Sequence, residues 1–195
     1  MILPFRIRTL FICAALVALF CAAPYSAFGQ YHSNTPGVTA NGTLPESITV
    51  SSSLSTLDIT LTPFTTTASA SITITTDWVL QATRTNVELD AYFASASQAL
   101  ADSTYYIPSS KIYGNVTTSE SGGAAANSPF TQTLSVGPAG AGLALFSEPI
   151  TAGTNSETED STTLSLTIDL SSSTLYKTLP AGTYTGTLTI EATAT

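Results

Sequence analysis

The chain has 195 residues, with five basic against thirteen acidic, a formal charge of −8 and only 9% charged residues. So few lysines and arginines exclude nucleic acid and anionic membrane surfaces as partners, because phosphate binding needs clustered basic side chains. Two cysteines and one histidine leave no set of soft ligands for zinc, copper, haem or iron–sulfur groups.

Arg6 and Arg8 precede an apolar run from Leu10 to Ala23, shorter than the roughly 20 residues a membrane span needs. Ala27-Phe28-Gly29 places small residues where a signal peptidase reads them, which predicts cleavage before Gln30. An uncleaved anchor is the alternative. Phe20 before Cys21 argues against lipidation, which wants a small residue there. Residues 1–29 are therefore expected to be a signal peptide, and the protein is expected to be secreted, periplasmic or at the cell surface. Removing 29 residues from 195 leaves 166, with no Cys and no Met. Arg84, Lys111 and Lys177 then face all thirteen acids, a formal charge of −10. That length supports one domain whose core needs no disulfide.

Residues 30–46 hold Pro36, Gly37, Asn41, Gly42 and Pro45 and read as a flexible N-terminal arm. Residues 47–195 then alternate as strands do. Leu57, Ile59 and Leu61 alternate with Asp58, Thr60 and Thr62, and Pro63 ends the run. From Ala70 to Ala82 the even positions are nearly all apolar, which predicts one long strand, or two in one phase with a kink near Asp77. Val87, Leu89, Ala91 and Phe93 face away from Glu88, Asp90 and Tyr92. Ser95 to Asp102 is Ala-rich and predicts a single helical turn. Tyr105 to Thr117 reads as a broken strand pair around Pro108 and Gly114, and Glu120 to Pro129 as a loop. Phe130 to Val136 alternates again. Leu143 to Ile150 reads as a short apolar strand, and Thr151 to Ser161 as an acidic loop. Leu164, Leu166, Ile168 and Leu170 form another dry row. In the last stretch Tyr184, Gly186, Leu188, Ile190, Ala192 and Ala194 face away from a row of threonines broken only by Glu191, so a strand is expected from Tyr184 with Leu188 and Ile190 buried.

The expected fold is all-β, an antiparallel immunoglobulin-like β-sandwich of about seven to nine strands. Parallel sheets would need crossover helices that the chain lacks.

The run from Leu179 to Ile190, Leu-Pro-Ala-Gly-Thr-Tyr-Thr-Gly-Thr-Leu-Thr-Ile, resembles the closing strand of spore coat protein U-type domains, exported β-sandwiches related to chaperone–usher pilins. Trp78 and the strand Glu88 to Ala94 sit where such domains have mid-chain strands. The chain after Gln30 lacks the cysteines common in that family, and Ala194 stands where pilins often have an aromatic. The resemblance implies a non-catalytic surface or fibre subunit.

Chemistry along the chain is sparse. His32 lies in the arm, away from any nucleophile it would need to serve, and no phosphate-binding loop is present. Glu88 and Asp90, two apart on one strand face, stand about 7 Å apart. Inverting glycosidases use such a spacing, but a wet strand face accounts for the pair. Glu157, Glu159 and Asp160 could offer oxygen ligands to Ca²⁺, though without EF-hand spacing, and a solvated acidic loop is the reading adopted. Tyr92, Tyr105, Tyr106 and Tyr113 could build a platform for a glycan, with Tyr92 the best exposed. Trp78 shares the phase of Ile72, Ile74 and Leu80, which favours the core. Asn41-Gly42-Thr43 and Asn115-Val116-Thr117 are glycosylation sequons. No catalytic, cofactor or metal residue is assigned. The expected function is an exported, non-enzymatic structural protein, a surface, fibre or adhesion component whose partners are other protein subunits or surface glycans. The alternative is a carbohydrate-binding module that uses exposed tyrosines.

Overall fold

From Ile72 to Leu80 every even residue is buried and every odd one half-buried, the rhythm of a strand with one face on a core. The computed structural model describes residues 39–61, 64–118, 127–172 and 174–195. The proposed signal peptide, with Cys13 and Cys21, and His32 lie outside them, as do residues 120–126 of the loop expected from Glu120 to Pro129. Residues 43–195 form one compact unit. Of the other unit, residues 1–42, the described residues 39–42 are irregular and exposed.

Ten strands are present among the described residues: β1 (Ser47–Ser52), β2 (Thr67–Val79), β3 (Asn86–Phe93), β4 (Leu100–Asp102), β5 (Tyr105–Ile107), β6 (Ile112–Thr118), β7 (Ser128–Pro129), β8 (Gly142–Pro149), β9 (Ser156–Asp169) and β10 (Leu188–Ala194). A 3₁₀ turn, Ser109–Lys111, and a four-residue helix α1, Leu175–Thr178, complete them. The protein is all-β and its named strand pairings are antiparallel. A five-stranded sheet runs β1-β2-β9-β6-β7, a three-stranded sheet β10-β3-β8, and β4 and β5 form a hairpin. Among the described residues no helix is long and apolar enough to cross a membrane.

One hydrophobic core draws on both larger sheets. Ile74, Trp78 and Leu164 come from the five-stranded sheet, and Val87, Leu89 and Leu143 from the other. Phe93 and Phe130 meet edge to face within it, ring centres 5.1 Å apart. Each such side chain gains about 1.5–3 kcal/mol on burial. Gly114 sits in β6 where a Cβ would strike Leu143 and crowd Leu164 and Phe130, so the strand passes the core without a side chain.

The expected kink near Asp77 is a register shift between Thr76 and Trp78 in an otherwise single long strand. Other expectations need correction. Leu57, Ile59 and Leu61 are half-buried against exposed Asp58 and Thr60, so the alternation is real, yet the segment joins no sheet. Residues 95–99 make no helical turn. The chain bends there and enters β4, with the Ser109 N–H donating to the Ala96 carbonyl. The break between β5 and β6 falls at the 3₁₀ turn, and Gly114 lies inside β6. Phe130 to Val136 forms only one bridge, Gln132 to Gly142. The acidic stretch is a strand from Ser156, paired with the far end of β2.

The closing strand begins at Leu188, not Tyr184. Thr185 exchanges backbone hydrogen bonds of 2.8 and 2.9 Å with Ala101 of β4 instead, which draws residues 184–187 away from β3. Leu188 and Ile190 are half-buried, not buried. Alternation identifies their apolar face correctly, but β10 is a sheet edge and that face is incompletely covered.

Candidate functional site

The free edge of β10 follows from its ladder. Asn86 and Thr195 exchange backbone hydrogen bonds, the Asn86 N–H to Thr195 at 3.3 Å and the Thr195 N–H to Asn86 at 3.0 Å. Antiparallel pairs alternate between bonded and non-bonded. Thr193, Glu191 and Thr189 therefore point their backbone groups at β3, and Leu188, Ile190 and Ala192 point theirs outward. The Arg84 guanidinium takes up the outward carbonyl of Ala194 at 3.2 Å. Arg84 also holds the Glu46 carboxylate with two hydrogen bonds of 3.0 Å, and the Gln81 N–H donates to the same carboxylate at 2.9 Å. These bonds hold the Glu46 carboxyl down at about 2 and raise the guanidinium further. One basic side chain thus ties the start of β1, the β2–β3 turn and the end of β10.

Beyond that tie lies a cleft of about 1270 Å³. Buried core side chains, Ile72, Phe93, Ile112 and Ile168 among them, form its base. Its sides are the segment 54–61, residues 179–187, and Leu188 and Ile190 of β10. Leu54 is 46% exposed and Phe64, at the rim, 97%. β1 approaches β10 without a ladder, and at Leu188 and Ile190 the unladdered edge meets apolar surface, a combination that natural sheets otherwise cover or blunt. Gly186 lets the 179–187 segment lie against the Ala99 carbonyl, which a Cβ would strike. The Tyr184 hydroxyl donates to the Pro180 carbonyl at 3.0 Å. Burial, then Asp102 and Tyr105 nearby, raise its pKa.

The tyrosines do not form one platform. Tyr92 is half-buried, its hydroxyl donating to Glu191 at 2.9 Å. That bond, with burial and the charge of Glu191, raises its pKa. Gly137, at φ +74°, packs its backbone on the ring, where a Cβ would collide. Tyr92 is therefore not the exposed candidate. Tyr105 is, at 45%. Tyr106 and Tyr113 are half-buried, and Tyr113 lies in β6 of the other sheet. Trp78 is in the core at 2% exposed, its indole N–H donating to the Thr154 carbonyl at 3.2 Å. Asn41 and Asn115 are exposed.

The acids are also dispersed. Asp90, read as wet, is only 3% exposed, while Glu88 beside it is half-buried and accepts a hydrogen bond from Asn86 at 3.1 Å. Asp160 is buried in the core-facing row of β9, opposite Thr76, and Glu157 lies across from Trp78. They belong to a strand and do not gather in a loop. Among the described residues no three His, Cys, Asp or Glu side chains converge as metal ligands. Nothing in the sequence pattern marked the cleft. Its one trace is the alternation of Leu57, Ile59 and Leu61, a strand-like row without a partner. No family model, curated protein or solved structure matches the chain.

Proposed function

We propose that the chain is an exported, non-enzymatic structural subunit, an immunoglobulin-like β-sandwich that accepts an extended segment of a neighbouring copy along β10. The observation that carries this reading is that Leu188 and Ile190, whose backbone groups point away from β3, line the apolar cleft. A chain laid there would satisfy the free backbone groups and set alternate apolar side chains over Ile72 and Ile168, the mode of β-strand addition. The resemblance of residues 179–190 to the closing strand of spore coat U-type and pilin-like domains agrees with it.

The test is self-association of the chain beginning at Gln30, followed by sedimentation velocity over a range of concentrations. Oligomers or fibres are expected. Ile190→Pro removes an outward N–H without touching the β3 ladder and should abolish assembly. Ile190→Ala, which keeps that N–H, should retain it. A chain that stays monomeric throughout overturns the proposal. A second reading, binding of a neutral glycan, is favoured by Tyr105 standing exposed near Asp102 and Tyr184. Binding on a glycan array that Tyr105→Ala removes would support that reading instead.

A further inference from the structure

Asp90 lies at the centre of the ladder that holds β10. It stands directly opposite Glu191, and Glu88, two residues away on the same face, stands opposite Thr193. On its other side β3 meets β8, where Ala144 is opposite and a register shift falls between Leu89 and Asp90. The groups around Asp90 are thus Glu88 and Tyr92 on its own strand, and Thr189, Glu191 and Thr193 on β10. On the β8 side they are Ala144, Ser147 and Glu148, with Gln132 reaching the Ala144 N–H from the preceding loop at 2.7 Å. None is basic. Arg84, at the end of the ladder, is engaged by Glu46 and Ala194.

The three carboxylates are not equally provided for. Glu191 accepts from the Tyr92 hydroxyl and Glu88 from the Asn86 amide. Asp90 is the most buried of the three, and no hydrogen bond from a described residue reaches it. A carboxylate on a largely buried residue, with no donor from the described residues and between two like charges, is destabilised in its ionised form. Cross-strand like charges add to that. Neutralising Asp90 removes both penalties and supplies an O–H that can donate to a neighbouring carboxylate. Because β10 is a sheet edge with a ladder on one side only, repulsion across this pair weakens its hold on the sheet.

We propose that the Asp90–Glu191 pair, with Glu88, is a proton-controlled latch: mild acid tightens β10 on the sheet and neutral pH loosens it. Burial first, then the charges of Glu88 and Glu191, raise the Asp90 carboxyl from 3.8 to about 6. A group whose folded pKa is raised stabilises the fold fully below its unfolded value, and that contribution is lost as pH rises through the folded one. The folding equilibrium constant should therefore be about tenfold larger at about pH 5 than at about pH 7.5. Glu46 and Asp169, whose carboxyls are lowered, act in the opposite sense only at lower pH.

The test is chemical unfolding of the protein at those two pH values, with hydrogen exchange of residues 188–194 corrected for intrinsic rates. The expected result is the tenfold gain in acid, with greater protection of β10. Asp90→Asn should be flat with pH and at neutral pH at least as stable as the parent. Equal or lower parent stability at pH 5 overturns the latch, as does a pH dependence that survives in Asp90→Asn. If that variant fails to fold, the parent's carboxyl carbon-13 titration decides. A midpoint near 6 with β10 amides shifting in step supports the latch, and a midpoint near 4 overturns it.

Discussion

Ile190→Ala and Leu164→Ala remove similar side chains from different surroundings. Leu164 is fully buried in β9, so its truncation loses the transfer energy and leaves a cavity, together about 2–5 kcal/mol. Ile190 is half-buried and borders the cleft. Full burial of such a side chain is worth about 1.5–3 kcal/mol, so half-burial gives roughly half of that. The cavity contribution is absent, because the space beside Ile190 is already open. The expected cost is about 1 kcal/mol, a melting shift of about 2–4 °C for a domain of this size. Urea melts of Ile190→Ala, Leu188→Ala, Leu164→Ala and Thr189→Ala, the last on the opposite face of β10, measure the ranking. Leu164 should stand well above the β10 pair, and Thr189, half-buried but with less apolar surface to lose, should cost less than either of that pair. An Ile190 cost equal to that of Leu164 would mean the cleft is closed over β10, and the reasoning from an open edge would fail. A cost of zero would mean that β10 is undocked.

Thr76 is fully buried with its hydroxyl unpartnered. Thr76→Val keeps the shape, removes the orphan group and should raise stability by about 1 kcal/mol in the same melts. Gly114→Ala should cost about 1–3 kcal/mol by overpacking against Leu143, and a neutral melt would show that the core there yields. The lowered Glu46 carboxyl contributes stability that is present above about 4.5 and lost as pH falls toward about 2. Glu46→Gln should flatten that acid limb of a stability–pH curve, and an unchanged limb would remove Arg84 from the account.

β2, β3 and the second half of β9 were legible because each has partners on both edges and one face on the core, so side-chain polarity and burial agree along most of each strand, with Thr76 and Asp90 the exceptions. Where they part, pattern reading fails. Residues 156–160 are strand without an apolar row, since the core-facing position opposite Thr76 is Asp160. Residues 57–61 and 130–136 have the row without the ladder, because alternation reports which face is dry and says nothing of whether a neighbouring backbone is in reach. The same gap hid the half-burial of Leu188 and Ile190 and the cleft. Asp90 was misplaced for a related reason. Its phase points it outward, yet the residue is largely buried beside Tyr92 on its own strand and opposite Glu191 of β10.

The outward face of the five-stranded sheet is built from hydroxyls in register. Ser69 stands beside Thr167, Ser71 beside Ser165, Thr73 beside Thr163 and Thr75 beside Ser161, and the Ser71 and Ser165 oxygens are 2.7 Å apart. No charge interrupts these rows between Asp77 and Asp169. Water is held there by hydrogen bonds to neutral groups, so hydration of this face is indifferent to ionic strength and to pH. The acids lie mostly at strand ends and on the smaller sheet, which makes the field around the molecule lopsided. Two copies approaching through the hydroxyl face meet little Coulomb repulsion, whereas approach through the acidic side is opposed at low salt and eased as salt is added.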